Sequence, residues 1–185
     1  MADRQVALVI LGLALVVGLA GDACHVAAGT TRYEWDGVPS VWRSAAWFPV
    51  ALSLSVLGAA WLSERAGTVA VRVRTRADAV AGAAVVLALY AVTALLNDTP
   101  TTVSVVLVGA IAVAVWAWWD PSPGALAVAT AAAVIGPLAE IAVVAAGASS
   151  YSVDGLGGVA PWLPCLYFAA GAVAARLWSA VANPG

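Results

Sequence analysis

The run ALAVATAAAVIGPLAEIAVVAA, residues 125–146, decides the fold. It is apolar on every side of a helix, and a helix of about 20 such residues crosses the hydrocarbon core of a bilayer. Five more blocks read the same way: Gln5–Ala27, Ser44–Leu62, Ala77–Leu96, Thr102–Trp119 and Val159–Ala182. Hydrophobic residues make up 63% of the 185 and charged residues only 10%, with a mean hydropathy of +0.97. A soluble domain of this length carries far more charge. A spanning β-barrel would alternate apolar and polar residues in strands of about ten, and these blocks do not. The expectation is all-α: one polytopic membrane domain over residues 1–185, a six-transmembrane-helix bundle with short loops.

The arginines orient it. Arg65, Arg72, Arg74 and Arg76 fall between the second and third blocks, Arg4 precedes the first, and Arg176 is near the end of the sixth. With six spans these regions share one side, which the positive-inside rule makes the cytoplasm, so both termini are expected there. Arg32 and Arg43 lie on the other side, balanced by Glu34 and Asp36. Trp35, Trp42 and Trp47 near the second block, and Trp116, Trp118 and Trp119 at the end of the fourth, suit the membrane interface. Small residues on several helix faces allow close helix approach and equally suit a homo-oligomer.

Several function classes are excluded or unsupported. There is no Lys and no basic stripe, so no nucleic-acid partner is expected. One His and two Cys make no zinc or haem site, so neither metal nor cofactor is expected. Cys24 and Cys165 read as buried apolar thiols, with a disulfide open if both lie near the outer surface. Asp22 and His25, near the outer end of the first helix, read as interfacial polar residues rather than a proton relay. No serine has a partnering base, and no hydrolase, P-loop or dinucleotide motif occurs. Nothing marks an enzyme.

Glu140 is the exception to the apolar text. It lies well inside the fifth block, shortly after Gly136-Pro137. A carboxyl at membrane depth costs several kcal/mol unless paired or protonated, and so reads as functional. Pro137 frees a carbonyl one turn earlier and kinks the helix. A break beside a carboxyl suggests a polar spot lining a cavity; an interhelical hydrogen bond that only fixes packing is the plainer reading. Asp120, at the end of the fourth block, reads as a solvated acid beside the Pro121-Ser122-Pro123-Gly124 turn, capping the next helix.

The sixth block opens with Pro161-Trp162-Leu163-Pro164-Cys165-Leu166-Tyr167-Phe168, with Gly171 shortly after. This resembles the W-L-P-C-[IL]-F-F-x-G-G segment of the Insig (insulin-induced gene) family. Ser44-Ala45-Ala46-Trp47-Phe48-Pro49 is similar to that family's S-A-W-W-V-P at the start of helix two. Residues 116–124, from Trp116 through Asp120 to Gly124, resemble its W-W-T-F-D-R-S-R-S-G turn. Gly147 with Tyr151-Ser152 resembles its G-V-Y-Q-Y-T loop. Two features depart: Val103 or Ser104 stands where the family has a polar Gln, and prolines replace the basic residues of the turn.

The resemblance implies six helices with cytosolic termini and a lipid-binding rather than catalytic role. It also implies positions. Trp116, Tyr167, Phe168 and Gly171 would lie at a lipid pocket, joined by Glu140 from the reading above, and Asp120 would support partner association. The absence of Arg and Lys at membrane depth favours a neutral lipid, sterol-like or diacylglycerol-like, whose hydroxyl would meet Glu140, Ser149 or a carbonyl freed near Pro137 or Pro164. The Ala-, Val- and Arg-rich composition suits a bacterial plasma membrane. A competing expectation is a small transporter that cycles a proton on Glu140.

Overall fold

The computed structural model describes residues 3–34, 39–67, 69–153, 155 and 157–185; Trp35 and Asp36 therefore lie outside the described residues. Among the described residues five helices are long and apolar enough to cross a membrane: α1 (Asp3–Ala27), α2 (Trp47–Arg65), α3 (Arg76–Leu95), α4 (Thr101–Trp119) and α5 (Pro123–Ala145). Four short strands gather at one end: β1 (Thr31–Tyr33), β2 (Ser40–Val41), β3 (Ser44–Ala45) and β4 (Ser149–Tyr151). Two further helices close the chain, α6 (Leu163–Ala174) and α7 (Leu177–Ala182).

Local chemistry sets these boundaries. Thr75 caps α3 reciprocally with Asp78, the side chain of each accepting the other's backbone N–H. Ser122 caps α5, its hydroxyl accepting from the Ala125 amide at 3.1 Å, with Pro123 in the first turn. The cap is thus Ser122 and not Asp120. The second block does not begin as a helix at Ser44. Trp42 and Arg43 both have positive φ (52° and 68°), as a tight two-residue hairpin requires, and Val41 turns back to pair with Ser44.

The single helix expected over 159–182 is also corrected. It starts at Leu163 and breaks between Ala174 and Leu177, where Arg176 adopts φ −121° and turns its side chain inward. The 12 residues of α6 rise about 18 Å, short of a full hydrocarbon core. Rather than facing lipid, α6 is the central staff of the bundle. Leu166, Ala169, Gly171, Ala172, Val173 and Ala174 are all buried, and α6 packs against α2, α3, α4 and α5.

Close approaches hold the other helices in place. A Cβ on Gly21 of α1 would sit 2.5 Å from Tyr90 Cγ of α3, so only glycine lets these two helices meet there. Trp119, expected at the interface, is fully buried and donates its indole N–H to the Val173 carbonyl at 3.1 Å. Trp42, by contrast, is 68% exposed. The two ends of the chain share one end of the bundle: Val6 and Ile10 of α1 pack with Leu177 and Val181 of α7, and Arg76 donates to the Val181 carbonyl. We call this the arginine end and the opposite one the strand end. Cys24 and Cys165 are both free and half-buried.

Candidate functional site

A cavity of about 480 Å³ lies between α2, α5 and α6. It exists because the three helices face it with small residues: Ala51 and Gly58 from α2, Ala131 and Ala132 from α5, Ala170 and Gly171 from α6. Gly171 cannot be larger, since a Cβ there would come within 2.6 Å of the Ala132 Cβ and 3.0 Å of the Ala129 Cα. A smaller apolar cavity of about 50 Å³ lies behind it among α1, α2, α3 and α6. Leu52, Val56, Tyr167, Ala170 and Ala174 line both, so those side chains are the partition.

Among the described residues Glu140 is the charged residue of the larger cavity's wall, and it is buried. Tyr167 donates its hydroxyl to Glu140 Oε1 at 2.9 Å. The pairing depends on Gly136, one helical turn before Glu140. The Tyr167 ring lies so close over Gly136 that any Cβ there would run into it. Residues 136 and 140 share one face of α5, which places ring and hydroxyl on the two of them together.

A polar roof closes the strand end. β1 pairs antiparallel with β4, Thr31 opposite Tyr151 and Tyr33 opposite Ser149. Directly opposed residues share a face, as do residues two apart on a strand. All four hydroxyls therefore point the same way, while Arg32 and Ser150 take the other face. Tyr33 donates to Asp22 Oδ2 at 2.8 Å, and Ser44 donates to the same oxygen. Burial first, and the neighbouring Asp22 and Glu140 carboxylates next, push the Tyr33 and Tyr151 phenols above their ordinary range, so both remain donors. The hydroxyls of Thr30 and Ser149 are buried and have no partner among the described residues. His25 Nε2 lies 2.8 Å from the Thr93 hydroxyl, which gives its own proton to the Leu89 or Tyr90 carbonyl. Asp22 and His25 are thus buried members of this end.

Trp116 and Phe168 sit elsewhere. Phe168 packs against the main apolar core, and neither residue lines the cavity. The Trp116 indole N–H is buried without a partner among the described residues.

Asp120 is at the arginine end and is fully buried, contrary to the solvated acid expected from sequence. It pairs with Arg176, whose Nε donates to Oδ2; Ser122 donates to the same oxygen at 2.8 Å, and the Val71 amide donates to Oδ1 at 2.9 Å. Burial pushes this carboxyl up, but Arg176 and the two hydrogen bonds outweigh it and hold it below the usual carboxylate range. Arg176 also donates to the Val69 carbonyl and to Ser122. One ion pair thereby joins the α6–α7 break, the α4–α5 turn and the α2–α3 loop. Among the described residues no three His, Cys, Asp or Glu side chains gather as a metal site would require.

No family model matches the chain. An Insig protein homolog from Mycolicibacterium vanbaalenii is 42% identical over 178 residues, covering 92% of this chain and 84% of that protein. The chain belongs to the Insig family. A crystal structure of MvINS, a mycobacterial Insig homolog from Mycobacterium vanbaalenii, superposes with a TM-score of 0.89 at 39% identity, over 96% of this chain and 94% of that one. A cross-linked trimer of an arginine-to-cysteine variant of MvINS superposes with a TM-score of 0.88, over 95% and 93%. The resemblance read from Trp162-Leu163-Pro164-Cys165 and its three companions is therefore correct. The chain is an Insig-family integral membrane protein.

The polar roof and the Arg176 partner of Asp120 were not found in the sequence. For this Insig chain the signal was available for the roof: Thr31, Tyr33, Ser149 and Tyr151 are hydroxyl residues at alternate positions in two short loop segments. For Arg176 the signal is its place as the one arginine set inside an apolar block.

Proposed function

We propose that this Insig chain is a non-enzymatic membrane protein that holds one neutral lipid, sterol-like or diacylglycerol-like, in the cavity between α2, α5 and α6. The observation that carries this reading is an apolar chamber of about 480 Å³ whose wall, among the described residues, holds one carboxyl, Glu140, already engaged by Tyr167. That volume falls in the range of small-molecule sites, and an apolar wall with few polar groups is their usual composition. Among the described residues no arginine lines it to meet a phosphate, which favours an uncharged head. Glu140, Tyr167 and Gly171 touch the ligand in this reading, and the Glu140–Tyr167 pair receives its polar end. Trp116 and Phe168 act only by supporting the packing behind α4 and α6.

The short α6–α7 unit serves as the sixth transmembrane element. In this reading the arginine end faces the cytoplasm of a bacterial plasma membrane with both termini, which the excess of arginine there favours. The chain forms a homo-oligomer, a reading favoured by the cross-linked trimer of MvINS. Asp120, consumed by Arg176, supports any partner surface by fixing the loops rather than by direct contact.

Lipid extraction and mass spectrometry of protein purified in mild detergent test the reading. The expected result is about one neutral lipid per chain, lost in Ala170→Trp, which fills the partition between the two cavities, and kept in wild type. A lipid-free wild-type protein that instead shows proton-coupled uptake abolished by Glu140→Gln would overturn it.

A further inference from the structure

The segment Val69–Thr75 between α2 and α3 is held by its backbone and by the guanidinium groups of its arginines, not by its apolar side chains. The Val71 amide is fixed on Asp120 and the Val69 carbonyl on Arg176, each at 2.9 Å. Arg74 lays its guanidinium on the Trp119 carbonyl at 2.9 Å and over the Trp118 and Trp119 rings, and Arg72 donates to the Trp118 carbonyl at 2.9 Å. The consequence is outward display. Val69, Val71 and Val73 are 84%, 62% and 86% exposed, and Arg72 is exposed among them. Open valines in water are unfavourable, and this strap leaves the bundle where α2 and α4 end with Leu62 (60%), Trp61 (43%) and Trp118 (39%) also exposed. Trp at such a level marks a membrane interface.

Charge decides what meets the strap. Arg4, Arg65, Arg72, Arg74, Arg76 and Arg176 occupy this end against Asp3, Glu64, Asp78 and Asp120. Asp78 and Asp120 are already paired with Arg74 and Arg176. Exposed positive charge thus remains in excess beside the exposed valines. We infer that the Val69–Thr75 strap is a docking surface for anionic phospholipid of the adjoining leaflet, with the valines seated at the top of the acyl chains and Arg72 on a headgroup phosphate. Basic groups beside apolar anchors bind anionic leaflets in this way, and arginine meets phosphate with paired N–H donors. The surface lies outside the cavity between α2, α5 and α6 and does not depend on what that cavity holds.

The test uses the full chain with Cys24→Ser and Cys165→Ala, carrying Val73→Cys labelled with an environment-sensitive fluorophore. It is reconstituted in phosphatidylcholine vesicles containing increasing fractions of phosphatidylglycerol, and protection of the label from the neutral quencher acrylamide is read. Protection is expected to rise with phosphatidylglycerol, and the rise to vanish in 1 M salt. In Arg72→Gln the phosphatidylglycerol fraction giving half the rise should increase roughly fivefold, the worth of one basic residue at a charged leaflet. Arg72→Lys keeps the charge and should keep most of the rise. Equal protection with and without phosphatidylglycerol overturns the inference. So does protection in lipid-free micelles that grows with protein concentration, because the occupant is then a second copy of the chain.

Discussion

Replacing Asp120 with alanine leaves the Arg176 guanidinium, 5% exposed, inside the protein without its counter-charge. Breaking a buried ion pair from one side costs about 3–5 kcal/mol, because the remaining charge stays buried and unpaired. Here the Val71 amide and the Ser122 hydroxyl lose their acceptor as well, which places the cost toward the upper part of that range. For a chain of this size roughly 2–4 °C of melting temperature accompany each kcal/mol, so a fall of about 6–20 °C is expected. Thermal unfolding followed by size-exclusion chromatography in detergent measures it. Asp120→Asn keeps the shape and one acceptor oxygen and should lose less. The pH dependence has a definite sign. The carboxyl is held below its ordinary value of 3.8, so its contribution is complete above that value and is lost only as pH falls through the lowered one. The gap between wild type and Asp120→Ala should therefore stay constant from pH 8 to about pH 5 and narrow only below about pH 4. A gap that closes between pH 7 and pH 5, or an Asp120→Ala protein as stable as wild type, refutes the assignment of a buried, ionised pair.

Two further outcomes concern the cavity wall. Gly136→Ala forces the Tyr167 ring off α5 and should cost about 1–3 kcal/mol, the usual range for overpacking, seen as a lower melting temperature together with weaker lipid retention. Tyr167→Phe should cost about 1 kcal/mol, and a double-mutant cycle with Glu140→Ala should show a coupling of at least about 0.5 kcal/mol; strictly additive losses would mean that the hydrogen bond contributes nothing.

The helices were legible because length and apolarity act locally. Four of the six blocks lie within two residues of the observed helix bounds, and the Thr75–Asp78 box and the Ser122-Pro123 start carry their own signals. What escaped the sequence depends on contacts between distant segments. Arg176 could be placed on a side of the membrane by its charge, but its partner Asp120 lies 56 positions away and only the folded bundle joins them. The same holds for the break in the last block. A composition as apolar as Leu163–Ala182 gives no local reason to end a helix at Ala174, and the reason is the ion pair. Glu140 and Tyr167 were both singled out in the sequence on separate grounds. That they meet follows from the Gly136 contact, which no helical periodicity reports.

The β1–β4 pairing has a consequence for the order of assembly. Glu34 and Ser150, bonded across it at 2.6 Å, are 116 positions apart, with α2 to α5 made in between. Loop-closure entropy grows slowly with length, so the pairing is cheap once the helices are in place, but contacts of such sequence separation form slowly. β1 leaves the ribosome early and waits; β4 follows only after α5. The polar cluster at the strand end is accordingly built in two stages: Tyr33 and Ser44 can engage Asp22 while the early helices are being made, whereas Tyr33 meets Ser149 only after α5, and the cavity between α2, α5 and α6 gains its last wall later still, when α6 follows β4.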